Sequence, residues 1–174
     1  MLRRATLLPS LAEATACLSQ PPRIRNGLAL AWRAVRVRCL QNDLARLVRN
    51  DAVDRAIAAV YPRRDEPFDL KLGREYIVFA IAHQFDLDWF YVFDDPSDEY
   101  PRWFPTALFE VLDPTRPPDW LVLDAPRPDG LREAPRVWAN TPHFYERLVD
   151  GDPDVLVAFR AVKLALEADD RRGR

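Results

Sequence analysis

Glycine, histidine and cysteine are scarce in this sequence, and each shortage argues against a class of catalytic site. None of the five glycines stands in a phosphate-binding loop or a nucleophile elbow. The two histidines, His83 and His143, lie sixty residues apart and outside any metal-binding spacing. Cys17 and Cys39 form no CxxC pair, and their apolar, helix-like contexts favour inert burial. The sequence therefore predicts a protein that is not an enzyme and that binds neither a metal nor a cofactor.

Long apolar runs are missing too. The longest wholly apolar stretch extends from Tyr76 to Ala82, which is far too short to cross a bilayer. Near the N-terminus, Pro9 and Glu13 interrupt the apolar residues before they reach the length of a signal-peptide core. We therefore expect a cytoplasmic protein without membrane contact, and nothing in its cysteine content requires an oxidising compartment.

Proline, aromatic residues and an uneven charge distribution are what the sequence does contain. Its 48% apolar and 11% aromatic content is typical of a globular domain, and its sixteen prolines favour rigid, turn-rich connections. Residues 1–50 hold nine arginines against Glu13 and Asp43, a balance of +7, so the remaining 124 residues carry −9. An acidic body attracts basic proteins and repels nucleic acid. Alternatively, the arginines form solvated faces that pair with the acidic body.

Hydrophobic periodicity predicts three parts of the chain. They are a helical N-terminal extension over residues 1–65, a β-rich domain with C-terminal helices over residues 68–168, and a disordered tail over residues 169–174. In the extension, a short helix is expected at residues 11–18 and another after Asp51. Between them, apolar steps of three and four residues predict a long helix that begins after Asn26-Gly27. Its outer face carries the arginines that form a candidate phosphate-binding set, Arg33, Arg36 and Arg46.

The β-rich part contains four segments rich in β-branched and aromatic residues. They predict strands at residues 76–81, 87–93, 106–113 and 119–124, with a turn near Phe85-Asp86. Pro142 and Pro153 predict the starts of two C-terminal helices. The predicted fold class is α+β, with a small curled antiparallel sheet or barrel and helices on both sides of it in the chain.

The segment FYVFDDPSDEYPRWFPTALFEVLD (90–113) combines aromatic and acidic side chains and contains the candidate site. Tyrosine and tryptophan often anchor protein interfaces, and an acidic rim guides a basic partner. Its four acids between residues 94 and 99 are expected to repel one another and to have little structural role. Alternatively, the aromatic residues fill the barrel and the acids form a solvated loop. The predicted partner-binding residues are Asp94, Asp95, Asp98, Glu99, Tyr100 and Trp103.

The motifs of this region resemble those of a group of short bacterial proteins. The matching elements are GREYIVFAI, the acid pair Asp94-Asp95, YPRWFPTALFEVLD and HFYERLVDGD. They are similar to a family core of the form YPxW[YF]PxxLFEVxD, and the resemblance covers residues 70–152. Where that family often continues D-G-R-L-S, this chain has Asp113-Pro114-Thr115-Arg116-Pro117. Several members look like immunity proteins encoded beside polymorphic toxins, so the resemblance implies binding and neutralisation of a cognate toxin.

Two hypotheses of different classes follow. The first is a non-catalytic immunity or antitoxin-like protein that binds a cognate basic protein toxin through the acidic and aromatic residues. The alternative is a nucleic-acid-associated or regulatory module in which Arg33, Arg36 and Arg46 contact phosphate. A structural accessory role and an unrecognised enzyme stay open as further alternatives. A toxin gene next to this one favours the first hypothesis, and salt-sensitive binding of random DNA or RNA favours the second.

Overall fold

The computed structural model describes residues 34–43, 54, 67–125 and 127–173, with side chains described up to residue 171. The helix expected at residues 11–18 lies outside the described residues. The helix expected after Asp51 is described only at Asp54, which is helical. Residues 31–174 form one compact unit, which contains every element reported below.

The described part of this unit is built from short strands followed by helices. The strands are β1 (Arg36–Cys39), β2 (Glu75–Ile77), β3 (Ala80–Gln84), β4 (Leu87–Val92), β5 (Arg102–Pro105), β6 (Phe109–Asp113), β7 (Trp120–Val122) and β8 (Leu131–Pro135). They are followed by α1 (Arg136–Asn140), α2 (Phe144–Val149) and α3 (Pro153–Gly173), and a 3₁₀ turn spans Thr106–Leu108. The predicted α+β class is confirmed, because helices and antiparallel strands share one compact unit.

The described strands form two antiparallel sheets and not the single curled sheet or barrel that we expected. The smaller sheet has the order β2-β1-β6, and the larger has the order β5-β4-β3-β8-β7. The described chain passes between the sheets three times: at Val78-Phe79, in the 3₁₀ turn, and between β6 and β7. The segment 76–81, predicted as one strand, therefore contributes to both sheets.

Strand β1 lies where the long arginine-rich helix was predicted, and for residues 36–39 that prediction is wrong. Val35, Val37 and Cys39 are buried, whereas Arg36 and Arg38 between them are only half-buried. This alternation has the period of a strand. β1 pairs with both β2 and β6, so it is the central strand of the smaller sheet. Part of the predicted extension thus belongs to the β-rich fold.

The larger sheet lies between the helices and the smaller sheet, and β4 is buried on both of its faces. Trp89 and Tyr91 point toward the helices, and Phe90 points toward the smaller sheet. A strand buried on both faces has an uninterrupted apolar run, which is why this strand was predicted correctly. The helix-side cluster comprises Ala34, Phe79, Ala80, Ala82, Trp89, Tyr91, Phe93, Leu131, Ala134, Trp138, Ala139, Phe144, Leu148, Val155, Phe159 and Leu166. The inter-sheet cluster comprises Val35, Val37, Cys39, Leu70, Tyr76, Val78, Phe90, Val92, Phe104, Leu108, Phe109 and Trp120.

Helix α3 covers the helix-side cluster and begins at Pro153, as predicted. Oδ1 of Asp152 accepts hydrogen bonds from the backbone amides of Asp154 and Val155, at 3.0 and 3.3 Å, and so caps the helix. Val155 and Phe159 are buried on the predicted core side. The helix continues to Gly173, so the tail expected to be disordered is helical over residues 169–173. Within the described residues, no helix is both long and apolar enough to cross a membrane.

Strands β5 and β8 and helix α1 were not predicted. β5 ends in Pro105 and β8 ends in Pro135, and prolines in both segments made them resemble loops. A proline at the last position of a strand is tolerated even though it lacks an amide donor. Because β8 pairs with both β3 and β7, this missed strand is an interior member of the larger sheet.

Candidate functional site

The candidate site is the acidic loop, residues 94–99, which follows β4. Lys163 of α3 lies against it and donates hydrogen bonds to the carbonyl oxygens of Pro96, at 3.2 Å, and Asp98, at 3.4 Å. Its ammonium also lies 3.8 Å from the centroid of the Phe93 ring, within the range of a cation–π contact. Lys163 therefore fastens the acidic loop to α3.

Asp95 and Glu99 carry the exposed charges of the acidic loop. Oδ1 of Asp95 accepts hydrogen bonds from the amide and the hydroxyl of Ser97, at 2.8 and 2.7 Å, and these bonds hold the pKa of Asp95 below its usual value. Glu99 lies 3.5 Å from Arg160, but both side chains are largely exposed, so the pair contributes little to stability. Both carboxylates can therefore act on molecules in the surrounding solvent.

Asp94 does not belong to this exposed surface, because its side chain is only 1% exposed. Its Oδ2 lies 2.9 Å from Nη2 of Arg102, which also lies 3.5 Å from Asp98. Burial raises the pKa of Asp94, and the opposing effect of Arg102 offsets this only in part. The acids were expected to have little structural role. Asp94 contradicts that expectation, and Arg102 relieves the repulsion between its two acidic neighbours.

Tyr100 and Trp103 are half-buried. Their exposure is intermediate between that of a fully exposed interface anchor and that of a residue that fills the core. The Trp103 ring packs 5.0 Å from the Trp89 ring and stacks on Tyr91 at 6.4 Å between centroids. The Tyr100 ring meets Tyr145 edge-on at 6.4 Å. Both rings are supported by the core and keep an accessible part, an arrangement suited to interface anchors.

The predicted partner-binding residues fall into four places. Asp98, Glu99 and Tyr100 line one shallow surface hollow together with Arg102. Trp103 lines a separate cavity, and Asp94, the first residue of the acidic loop, is buried. Asp95 is exposed at the turn that begins the loop. The acidic loop and Tyr100 thus form one continuous segment, with Trp103 three residues further on.

The candidate phosphate-binding arginines are not brought together on a described helix. Arg36 lies in β1, with its Nη1 3.4 Å from Glu75 and 3.8 Å from Asp170. Arg33 and Arg46 lie outside the described residues. The charge of Arg36 is therefore already opposed by two carboxylates.

Three cations that shape the acidic loop were not assigned by the sequence analysis: Arg102, Arg160 and Lys163. Arg160 and Lys163 are three residues apart, so they share one face of α3, and this spacing is visible in the sequence. Nothing local relates that face to a loop more than sixty residues earlier. Their role could be recognised only once α3 was placed against the acidic loop.

Of the groups first considered for chemistry, the structure describes Cys39, His83 and His143, whereas Cys17 lies outside the described residues. Cys39 is fully buried, and burial raises the pKa of its thiol, which disfavours the nucleophilic thiolate. Nδ1 of His83 lies 2.8 Å from Asp88 in the β3–β4 hairpin, where both side chains are partly exposed. Within the part of the chain that the structure describes, no three His, Cys, Asp or Glu side chains are grouped to hold a metal ion.

No protein-family model, curated protein or solved structure matches the chain. The geometry of the acidic loop is therefore the basis for the function proposed next. That geometry combines exposed carboxylates, two half-buried aromatic rings and a helix that supports the loop from below.

Proposed function

We propose that the protein is a non-catalytic binding module of the immunity or antitoxin type, which binds and neutralises a cognate basic protein toxin. The binding surface consists of the acidic loop with Tyr100 and Trp103 beside it. The observation that carries the proposal is the attachment of the loop to α3 through Lys163, which donates to two of its carbonyl oxygens. A loop already held in one conformation loses little entropy on binding, and this favours tight association.

The charges of the surface suit a basic partner. Asp95 and Glu99 are exposed, and negative charge in such a place accelerates encounter with a positive protein. Arg160 lies 3.5 Å from Glu99 in a solvated pair, so a cation of the partner can replace it at low cost. Tyr100 and Trp103 then supply contact area that slows dissociation.

The nucleic-acid alternative has less support. Among its three arginines, only Arg36 is described, and Glu75 and Asp170 already oppose its charge. A phosphate at this position would lie close to both carboxylates, which would repel it. We therefore do not propose phosphate binding for this surface.

The test is protection of a bacterial host against the product of the neighbouring gene, followed by binding kinetics with the purified pair. The unaltered protein should relieve growth arrest caused by that product. The double variant Asp95→Asn, Glu99→Lys should protect less and associate more slowly, with a weaker dependence of the association rate on salt. Asparagine at 95 retains an oxygen that can accept the hydrogen bonds from Ser97, so the loop keeps its turn.

A matched control is the variant Glu110→Lys, which reverses an exposed charge on β6 in the other sheet. It should protect as well as the unaltered protein does. Equal protection by the loop variant would remove the acidic loop from the interface. A neighbouring product that neither arrests growth nor binds would overturn the immunity function itself.

A further inference from the structure

A cavity walled by four aromatic rings lies on the helix side of the larger sheet. Tyr91, Trp103, Trp138 and Tyr145 line this space of about 180 Å³. The rings of Trp138 and Tyr145 are parallel within 1°, and those of Tyr91 and Trp103 are parallel within 13°. The Tyr91 ring stands at 71° to Trp138 and at 70° to Tyr145. Tyr91 and Trp138 are only 6% and 2% exposed, so the accessible ring surface of the aromatic cavity belongs to Trp103 and Tyr145.

The remaining charges of the aromatic cavity are negative. Asp129 and Glu146 both line it, and the described lining includes no lysine or arginine. Arg127 lies 3.2 Å from Asp129 and partly neutralises it, whereas Glu146 is exposed in the first turn of α2. The faces of aromatic rings also carry partial negative charge. The accessible rings of Trp103 and Tyr145 and the acidic rim therefore favour a positively charged occupant.

The walls are held in place by contacts within the protein. The Tyr145 hydroxyl donates a hydrogen bond to the carbonyl oxygen of Pro101 at 3.0 Å, which orients its ring. At the rim, the Gln84 amide donates to the carbonyl oxygen of Asp129. Gly130 has a φ of +78°, and a side chain there would collide with Gln84. A cavity prepared in this way needs little rearrangement to accept a ligand.

We propose that the aromatic cavity binds a small quaternary ammonium compound through its trimethylammonium group. Cation–π attraction to the half-buried rings of Trp103 and Tyr145, together with charge attraction to Glu146 and Asp129, supplies the affinity. The volume of the aromatic cavity is sufficient for a trimethylammonium group, because a cavity of about 150 Å³ accommodates a molecule as large as benzene. A methylated ammonium has no N–H group that requires an acceptor. A primary ammonium is strongly hydrated, so removing its water on entry into the cavity costs more free energy.

This binding activity goes beyond the proposed function. Trp103 contributes a ring to both sites, but the ligand is a small cation in one case and a protein in the other. Failure of the aromatic cavity to bind a cation leaves host protection unaffected. Failure of protection likewise leaves the cation titration interpretable.

The experiment is a titration of the full chain with choline chloride, in which binding is measured by tryptophan fluorescence and by calorimetry. Sodium chloride at equal ionic strength corrects for salt. The decisive comparison is 3,3-dimethylbutan-1-ol, the neutral analogue of choline in which carbon replaces the charged nitrogen. We expect saturable choline binding, with the neutral analogue weaker by about tenfold because it keeps the shape and loses the cation–π contact.

Variants then assign the binding to this cavity. Trp103→Leu keeps an apolar side chain but removes a π face, and it should weaken choline binding by about tenfold. Glu146→Gln should weaken it by about threefold. Glu110→Gln removes an equivalent exposed charge from the other sheet and should leave binding unchanged. Thermal unfolding of each variant confirms that the fold is retained.

Two outcomes would overturn the proposal. One is absence of saturable choline binding by the folded, unaltered protein. The other is equal binding of choline and its neutral analogue, which would show an apolar pocket without preference for a cation. Unchanged choline affinity in both Trp103→Leu and Glu146→Gln would likewise place any binding elsewhere.

Discussion

The two faces of the larger sheet support different kinds of aromatic cluster. The inter-sheet cluster is enclosed between two sheets, and two partly buried apolar residues, Phe68 and Ile81, pack against its buried members. The helix-side cluster has an equally buried centre around Phe159, but it continues through partly buried residues such as Trp103, Tyr100 and Tyr145 to the protein surface. Trp103 and Phe104 are neighbours on β5 and face opposite clusters. Aromatic content alone thus does not distinguish an enclosed core from a cluster that extends to the protein surface.

The largest effect is expected at the centre of either cluster. Phe159→Ala should lower the free energy of unfolding by about 3–5 kcal/mol, because it leaves a cavity among packed rings. Phe159 is 1% exposed, and its ring lies 5.9 Å from Phe79 and 6.0 Å from Trp138. Chemical denaturation measures the change, with Phe104→Ala as the equivalent variant in the inter-sheet cluster. A loss below about 0.5 kcal/mol, typical of surface positions, would show that α3 is not docked.

A buried charge extends the comparison beyond aromatic residues. Glu133 on β8 is 5% exposed, and the Arg116 guanidinium pairs with both of its carboxylate oxygens. Arg116→Ala should cost about 2–3 kcal/mol, because it leaves a buried carboxylate without its cation. Urea denaturation tests this, and the double variant Arg116→Ala, Glu133→Gln should recover part of the loss. If the double variant is no more stable than Arg116→Ala, the uncompensated charge is not the cause.

Substitutions at the partly exposed edge of the helix-side cluster should destabilise the protein less than substitutions at its centre. Trp103→Ala is expected to cost about 1–2 kcal/mol, less than Phe104→Ala, although tryptophan is the larger side chain. The reason is that Trp103 is half-buried and Phe104 is 2% exposed. Denaturation of the two variants under the same conditions ranks them. An equal or greater loss for Trp103→Ala would place Trp103 in the core and remove it from both proposed sites.

The smallest effect concerns Asp94 and depends on pH. Burial raises the folded-state pKa of Asp94 above its usual value of 3.8, so its neutral form is favoured in the folded protein. The stability this gives is complete below pH 3.8 and is lost as pH rises through the folded-state pKa. Asp94→Asn stays neutral and should escape that loss. Its free energy of unfolding should therefore rise relative to the unaltered protein as pH increases from acid to neutral.

Urea denaturation at a series of pH values measures the Asp94 effect. The variant Asp124→Asn, which removes an exposed carboxylate, supplies the control for the loss of one negative charge. Parallel pH curves for Asp94→Asn and the unaltered protein would show that Arg102 fully compensates the buried charge.

Local sequence patterns predicted the elements whose fold is specified by a few neighbouring residues. The turn at Phe85-Asp86 is confirmed: both residues have positive φ, of 55° and 61°, between β3 and β4. Strand β1 was missed because its alternation, Val35 to Cys39, is only five residues long and lies within a segment that also has helical spacing. Short elements of this kind are decided by the partners they pair with.

By itself, the sequence determined the α+β class, the presence of strand β4 and the start of α3 at Pro153, because each depends on residues close together in the chain. Only the tertiary structure decided that Asp94 is buried beside Arg102 and that Lys163 lies against the acidic loop. It also decided that residues 36–39 are the central strand of a sheet and that four aromatic rings share one cavity. Some of these features join residues that are far apart in the chain. Others depend on which face of the sheet each side chain occupies. Their energies come from burial and charge pairing that no local pattern contains.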